Sequence, residues 1–434
     1  MESHASPRIG RLPAAARRAV VLAGTLALAG CTAAVPSATP TASPPSSTAV
    51  PVTASASTAP SQPAPSPAAT SSAVASAPPV VAAAIPGVWS DLSVTAESPP
   101  RPANGTIVPW KGGDLAIAPE TADGPERLFS STDGRSWTEL PASTLGFDDP
   151  TGNTLLNAAT ACGDGVLVET VDGDSHVWLW WSTDLADWTK TAFHNEGYAT
   201  LAAIGSTAVA NVDTGGSAPT GTAMDVSTDC RTWKRIELPG GVKVAQISGL
   251  AANPSGFAAV GASGTVGTPD SRLLAWWSSD GLHWSAASTP STRGDRFATV
   301  DAGADGFIAV EASNSGVPGR QELLTSADGH AWKRFSGDPL GTITSGEGVG
   351  SPAGSITSDG SHVLLYGQKG VSPADDTATG PAEYWISTDG VHWSRPTIGG
   401  PDGAAMLADR YPVPMVLPNG ILFAGEDTTW FGTP

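Results

Sequence analysis

The sequence predicts an all-β fold, a seven-bladed β-propeller of four-stranded antiparallel blades closed by an N-terminal strand. First, the pattern Ser-x-Asp-Gly-x-x-Trp recurs six times, with its aspartates 51, 45, 51, 48 and 61 residues apart. That period suits one sheet-sized unit per repeat. Second, each repeat holds four short β-forming runs parted by Gly, Asp and Pro, with no helical period. Third, the two ends of the array complete each other.

Composition divides the 434 residues into three segments, 1–30, 31–85 and 86–434. Arg8, Arg11, Arg17 and Arg18 precede an apolar run from Ala19 to Ala29, followed by Gly30-Cys31. The run is short for a bilayer span and carries the flanks of a secretory signal. Leu28-Ala29-Gly30-Cys31 resembles the bacterial lipobox, which implies that Cys31 is lipidated and begins the mature chain. An ordinary secretory signal with an incidental Cys31 is the alternative, and Arg17-Arg18 leaves Sec and twin-arginine export both open. With two or more acyl chains the protein would stay on the membrane, facing the exterior of a bacterium.

Residues 32–85 are almost entirely Ala, Pro, Ser, Thr and Val, with no charge. Proline blocks regular helix and too few large apolar side chains remain to build a core, so a disordered tether reaching roughly 40 to 170 Å is expected. The whole chain has 22 basic against 41 acidic residues, net −19, and its signal region is basic, so the remainder is more acidic still. Such a body repels phosphate backbones, which excludes nucleic acid as a natural partner. Of three cysteines, Cys162 and Cys230 remain after lipidation, either as one disulfide or as two buried thiols.

The six copies of the pattern are Ser131-Asp133-Trp137, Ser182-Asp184-Trp188, Ser227-Asp229-Trp233, Ser278-Asp280-Trp284, Ser326-Asp328-Trp332 and Ser387-Asp389-Trp393. In the clearest repeat, Ala298-Thr299-Val300, Phe307–Val310, Glu322–Thr325 and Ala331–Phe335 form the four β runs. The turn opening the second run occurs seven times, at Gly113-Asp114, Asp164-Gly165, Gly205-Ser206, Ser255-Gly256, Asp305-Gly306, Asp359-Gly360 and Asn419-Gly420. The last unit stops at Pro434 without its aspartate turn, while Val88–Val94 reads like His392–Ile398. Residues 87–95 are therefore expected to complete the blade begun by residues 404–434, which removes open sheet edges. Six blades with two spare end strands is the alternative.

The recurring turn resembles the Asp-box, or bacterial neuraminidase repeat, of sialidases, some xyloglucan hydrolases, sortilin-like receptors and a photosystem assembly factor. It is one residue shorter than the usual Ser-x-Asp-x-Gly-x-x-Trp. Gly134, Gly281, Gly329 and Gly390 keep the glycine, whereas Leu185 and Cys230 replace it, so those two turns are expected to differ or to be strained. Ser and Asp side chains can bond nearby amides and fix a tight turn, with the tryptophan packed beneath. The resemblance implies that these turns lie on the face opposite the ligand site. Calcium on the aspartates, or sugar on the tryptophans, is the functional alternative to that structural role.

The resemblance also raises a sialidase-like glycoside hydrolase, whose arginine triad, acid/base aspartate and Tyr–Glu pair do not transfer. Pro100-Arg101-Pro102 does not match the first arginine motif. Tyr366 and Tyr384 fall in predicted strands, leaving Tyr198 and Tyr411, the latter beside Arg410. Loop acids that could form a glycosidase pair include Asp148, Asp149, Glu196, Asp213, Asp270, Asp295, Glu347, Asp375 and Asp376, too many to select two. His194 and Arg293-Gly294-Asp295 are weaker signals. Trp178, Trp180, Trp181, Trp276 and Trp277 cluster on predicted third strands, with inter-blade packing as their expected role. The reading that results is a non-catalytic surface module binding a glycan, a cell-wall component or a protein. A glycoside hydrolase with an unlocated site, or an assembly factor for a membrane complex, are the alternatives.

Overall fold

The computed structural model describes residues 89–97, 106–119, 126–140, 155–172, 176–194, 198–213, 223–240, 244–264, 271–290, 295–313, 321–335, 354–368, 371–372, 377–378, 382–409, 412–425 and 428–434. The signal segment, Cys31 and the 31–85 segment lie outside them. The described residues form a seven-bladed β-propeller. Blades one to five each hold four antiparallel strands in sequence order: Thr106–Glu139, Leu155–His194, Tyr198–Glu237, Val244–Ala286 and Asp295–Arg334.

The second strand of each blade is buried on both faces because a neighbouring blade covers each side. Gly165–Val171 is buried throughout, and Phe257–Val260, Phe307–Val310 and Ile421–Ala424 are continuous apolar runs for the same reason. Outer strands face water, so Lys234, Arg235 and Glu237 of Trp233–Glu237 are exposed and Trp233 and Ile236 only half-buried. Core clusters lie between blades: Val300, Phe307, Leu324 and Trp332 of blade five pack on Val260, Leu273 and Ala275 of blade four.

The ring closes through the N-terminal strand Asp91–Ala96, which pairs antiparallel with Thr429–Thr433 in the register Val94↔Gly432 and Ala96↔Trp430. One feature differs from the expected four-stranded plan. Blade six keeps only three strands, Gly354–Ser358, Val363–Gln368 and Ala382–Ser387, and its fourth shrinks to a single bridge between Ile386 and Ser394. Buried Pro396 then interrupts the ladder, having no N–H to donate. The chain continues as Thr397–Gly399, parallel to Asp91–Ser93, giving blade seven a fifth strand. A six-residue helix, Gly403–Ala408, follows, and Met406 on it is fully buried against the closing strand's core. Just before it, the Asp402 carboxylate accepts the Ala96 N–H at 2.8 Å.

Candidate functional site

The tight turns between first and second strands, and the aspartate turns between third and fourth, lie at one end of every sheet and are all described. Most connections at the opposite end lie outside the described residues. There fall Asp148, Asp149, Glu196, Asp270, Glu347, Asp375 and Asp376, with Arg101, Arg293, Gly294, Arg410 and Tyr411. Asp213, Asp295, His194 and Tyr198 end or begin strands, with their side chains outside the description.

Each aspartate turn uses its own side chains to satisfy its backbone. The aspartate Oδ1 accepts the N–H two residues on in all six: Arg135, Ala186, Arg231, Leu282, His330 and Val391, at 2.8–2.9 Å. The serine hydroxyl accepts the N–H of Gly134, Leu185, Gly281, Gly329 and Gly390 at 2.8–2.9 Å. Below, Trp137, Trp188, Trp284 and Trp393 donate their indole N–H to the carbonyl three residues back. Trp233 instead meets Phe193 edge-on at 5.4 Å.

The amides of Ser136 and Arg135 hold the Asp133 carboxyl down to about 2, and those of Thr232 and Arg231 hold Asp229 well below the usual range. At Asp280 burial opposes ionisation, yet the His283 ring at 2.7 Å and two amides outweigh it and lower the pKa. These carboxylates stay charged because the turn supplies the donors. Among the described residues, no three His, Cys, Asp or Glu side chains come together in a group that could hold a metal.

The residue after the aspartate points at the preceding blade in every turn. A Cβ added to Gly329 would sit 2.2 Å from Trp277 of blade four, and one on Gly390 would sit 2.6 Å from Ile308 of blade five. Leu185 and Cys230 do not alter the turn: their φ values of 65° and 63° match the 69–78° of the four glycines. The difference in geometry allowed by the sequence is therefore absent, and an unfavourable left-handed backbone is kept because the side chain fills the space. Leu185 packs against Leu115 and Leu128 of blade one. Cys230 reaches into blade two, where a disulfide joins it to Cys162 with Cα atoms 6.0 Å apart.

One residue further on, blades alternate. Arg135 lies 5.4 Å over Phe431, Arg231 lies 3.7 Å over Trp181, and His330 lies 3.9 Å from Trp277, each aromatic belonging to the preceding blade. Ala186, Leu282 and Val391 in the even blades follow Ser130, Val226 and Thr325 instead.

Two tyrosines are cross-strand neighbours, Tyr366 opposite Tyr384. The Tyr384 hydroxyl donates to the Pro412 carbonyl at 3.2 Å, and burial drives its pKa far up, which makes it a poor nucleophile.

A distinct arrangement occurs where third and fourth strands face each other near the outer rim. Blades one, five and six place an ion pair at this position: Arg127 with Glu139, Glu322 with Arg334, and Glu383 with Arg395. Glu311, only 3% exposed, also accepts Arg334 at 2.8 Å. In blade two the acid is replaced by Trp178, and the exposed Lys190 lies with Nζ 3.9 Å from the Trp178 ring and 4.5 Å from that of Trp180. No carboxylate pairs with Lys190 among the described residues.

Asp172 organises the rest of this rim cluster. Its Oδ2 accepts the Trp178 indole N–H at 3.0 Å and lies 3.1 Å from His176 Nδ1, while Oδ1 accepts the His176 amide at 2.9 Å. Trp180 is buried, with its N–H on Thr170, whereas Trp178, Asp172 and His176 remain half-exposed. Trp178 and Leu140 both pack against the apolar cluster shared by blades one and two, which includes Leu128. The sequence pattern points to Trp178 as a packing residue and gives no sign of Asp172, His176 and Lys190. The only signal available was the Trp-x-Trp alternation, since nothing local places Lys190 across from it.

No family model and no curated protein matches this chain. Solved structures that are similar include YCF48 from Cyanidioschyzon merolae, 12% identical with a TM-score of 0.45, covering 78% of this chain and 98% of that one. The N-terminal domain of Nup159 is 11% identical with a TM-score of 0.42, over 79% of this chain and 96% of the other. The six-bladed fungal lectin of Aleuria aurantia is 12% identical with a TM-score of 0.39, over 72% and 97%. At these identities and scores none of them bears on function.

Proposed function

We propose that this chain is a non-catalytic, extracytoplasmic binding propeller, anchored to a bacterial membrane by a lipidated Cys31 and engaging a glycan, a cell-wall component or a protein. The observation that carries the reading is the division of labour between the ends and the rim. The serines and aspartates of the six turns, which resemble Asp-boxes, are engaged by their own backbone and serve the ring. By contrast, the rim between blades one and two presents a half-exposed indole flanked by acid, imidazole and ammonium groups. Mixed aromatic and polar surfaces of this kind suit a ligand that is part apolar and part hydrogen-bonding.

Two measurements test it. Membrane fractionation of bacteria making the full chain should find it membrane-bound and should find Cys31→Ala released; release of neither would remove the anchor. Incubation with a panel of glycans and peptidoglycan fragments should raise the melting temperature without consuming the ligand. Turnover of a glycoside by the purified chain would overturn the non-catalytic reading.

A further inference from the structure

We infer that the outer rim of blade two is a subsite for an anionic saccharide, with a sugar ring against Trp178, its carboxylate or phosphate on Lys190 and a sugar hydroxyl on His176. The inference rests on the binding function proposed above and names the ligand class.

The molecule supplies its own comparison. At the equivalent rim position in blades one, five and six a basic side chain is neutralised by a carboxylate across the strands. Blade two has the base and, among the described residues, no acid paired with it, because Trp178 stands where blades five and six have the carboxylate. In a chain of net charge −19, Lys190 is an exposed ammonium that rests on indole faces and has no paired carboxylate among the described residues, so it is a local positive charge open to an anion. A cation over an exposed ring is held weakly, and a charge-assisted hydrogen bond to an anion is stronger. An arriving carboxylate or phosphate therefore draws Lys190 off the ring and uncovers the Trp178 face for the C–H groups of a sugar.

Asp172 orients the two rings of the site. Its two oxygens are engaged by the Trp178 indole, the His176 ring and the His176 amide, which fixes both rings. With its Nδ1–H turned to Asp172, the His176 ring presents Nε2 as an acceptor for a sugar hydroxyl. Trp178 itself packs against the apolar cluster that includes Leu128, which backs the ring on its inner side.

The test is a fluorescence titration of the full chain, purified in mild detergent, with trigalacturonate, mannose 6-phosphate and neutral maltotriose. Saturable binding of an anionic probe, weakened at least tenfold by Lys190→Gln and by Trp178→Ala and falling with added salt, is expected. Because Lys190 is exposed, Lys190→Gln should leave the melting temperature unchanged; the exposed Lys234→Gln, one blade away, is the control and should bind as the parent does. Preference between the first two probes tells a uronate from a sugar phosphate. Binding of any saccharide that survives Lys190→Gln overturns the subsite while keeping the binding function. Binding of maltotriose alone, or of none of the three, overturns the inference. Cleavage of a probe overturns the non-catalytic reading, with the Lys190→Gln effect on affinity still judging the subsite.

Discussion

Cys230 stands in an aspartate turn of blade three at φ 63°, and its sulfur is bonded to Cys162, which ends the innermost strand of blade two. The bond closes a sequence separation of 68 residues, so it holds two blades together across most of a repeat and a half. Loop-closure entropy for such a ring gives an upper figure of about 4 kcal/mol. Reductant should therefore lower the melting temperature of the parent and leave a Cys162→Ala/Cys230→Gly variant unmoved. That variant should also be more stable than Cys162→Ala/Cys230→Ala, because glycine accepts the left-handed backbone at a saving of about 1 kcal/mol. Equal melting temperatures for the two variants would show that the turn relaxes when the bond is gone.

Gly329 and Leu185 hold equivalent positions with opposite demands. Adding a methyl at Gly329 drives it into the Trp277 ring, so Gly329→Ala should cost about 2 kcal/mol or more from overpacking and backbone strain. Leu185→Gly relieves the backbone yet leaves a cavity facing Leu115 and Leu128, and a net loss of about 1–3 kcal/mol is expected. Denaturant unfolding of each variant would check both, and a stabilised Leu185→Gly would show that strain outweighs packing there.

Asp301, on the innermost strand of blade five, has a pKa pushed up to about 6 by burial, with the Ala302 amide opposing and the nearby charge of Asp359 adding to it. A raised folded-state pKa means that the favourable contribution is complete below about pH 4 and is lost as the pH climbs through 6. Asp301→Asn keeps the neutral form's acceptor, so it should be more stable than the parent at pH 7.5 by about 1–3 kcal/mol and equal to it at pH 4. Asp133, depressed to about 2, has the opposite sign: its contribution is present above pH 4 and fades towards 2. A pH-independent difference between parent and Asp301→Asn would refute the assignment.

Ring closure depends on few side chains. Leu92 and Val94 are fully buried in the closing strand, and Trp89 before it stacks on His362 of blade six at 4.4 Å. Leu92→Ala should cost about 2–5 kcal/mol and Trp89→Ala about 3–5 kcal/mol. A chain beginning at residue 98 leaves Thr429–Thr433 and Thr397–Gly399 without the strand between them, and it should self-associate in size-exclusion chromatography through those open edges. A monomeric, fully folded product would show that the ring tolerates an open blade.

What could be read in the chain was whatever is local or periodic. Ser278 and Asp280 satisfy amides within five residues of themselves, so the turn is written in seven consecutive letters and repeats with the blade. The match between Val88–Val94 and His392–Ile398 announced the closing strand because it, too, is a pattern of consecutive residues. Pro396 was visible, but its diversion of the chain to a fifth strand of blade seven was not, because a proline says where a ladder stops and not where the chain goes next. Leu185 and Cys230 broke the turn's rule in the sequence, and only packing against the preceding blade shows what compensates them. Trp178 and Lys190, with Asp172 and His176, became a cluster only through cross-strand register and the direction in which each side chain leaves its strand. Short-range hydrogen bonding and alternation thus determined the blades from sequence alone. Contacts between blades and across strands, which depend on the placement of residues far apart in the chain, were decided by the tertiary structure.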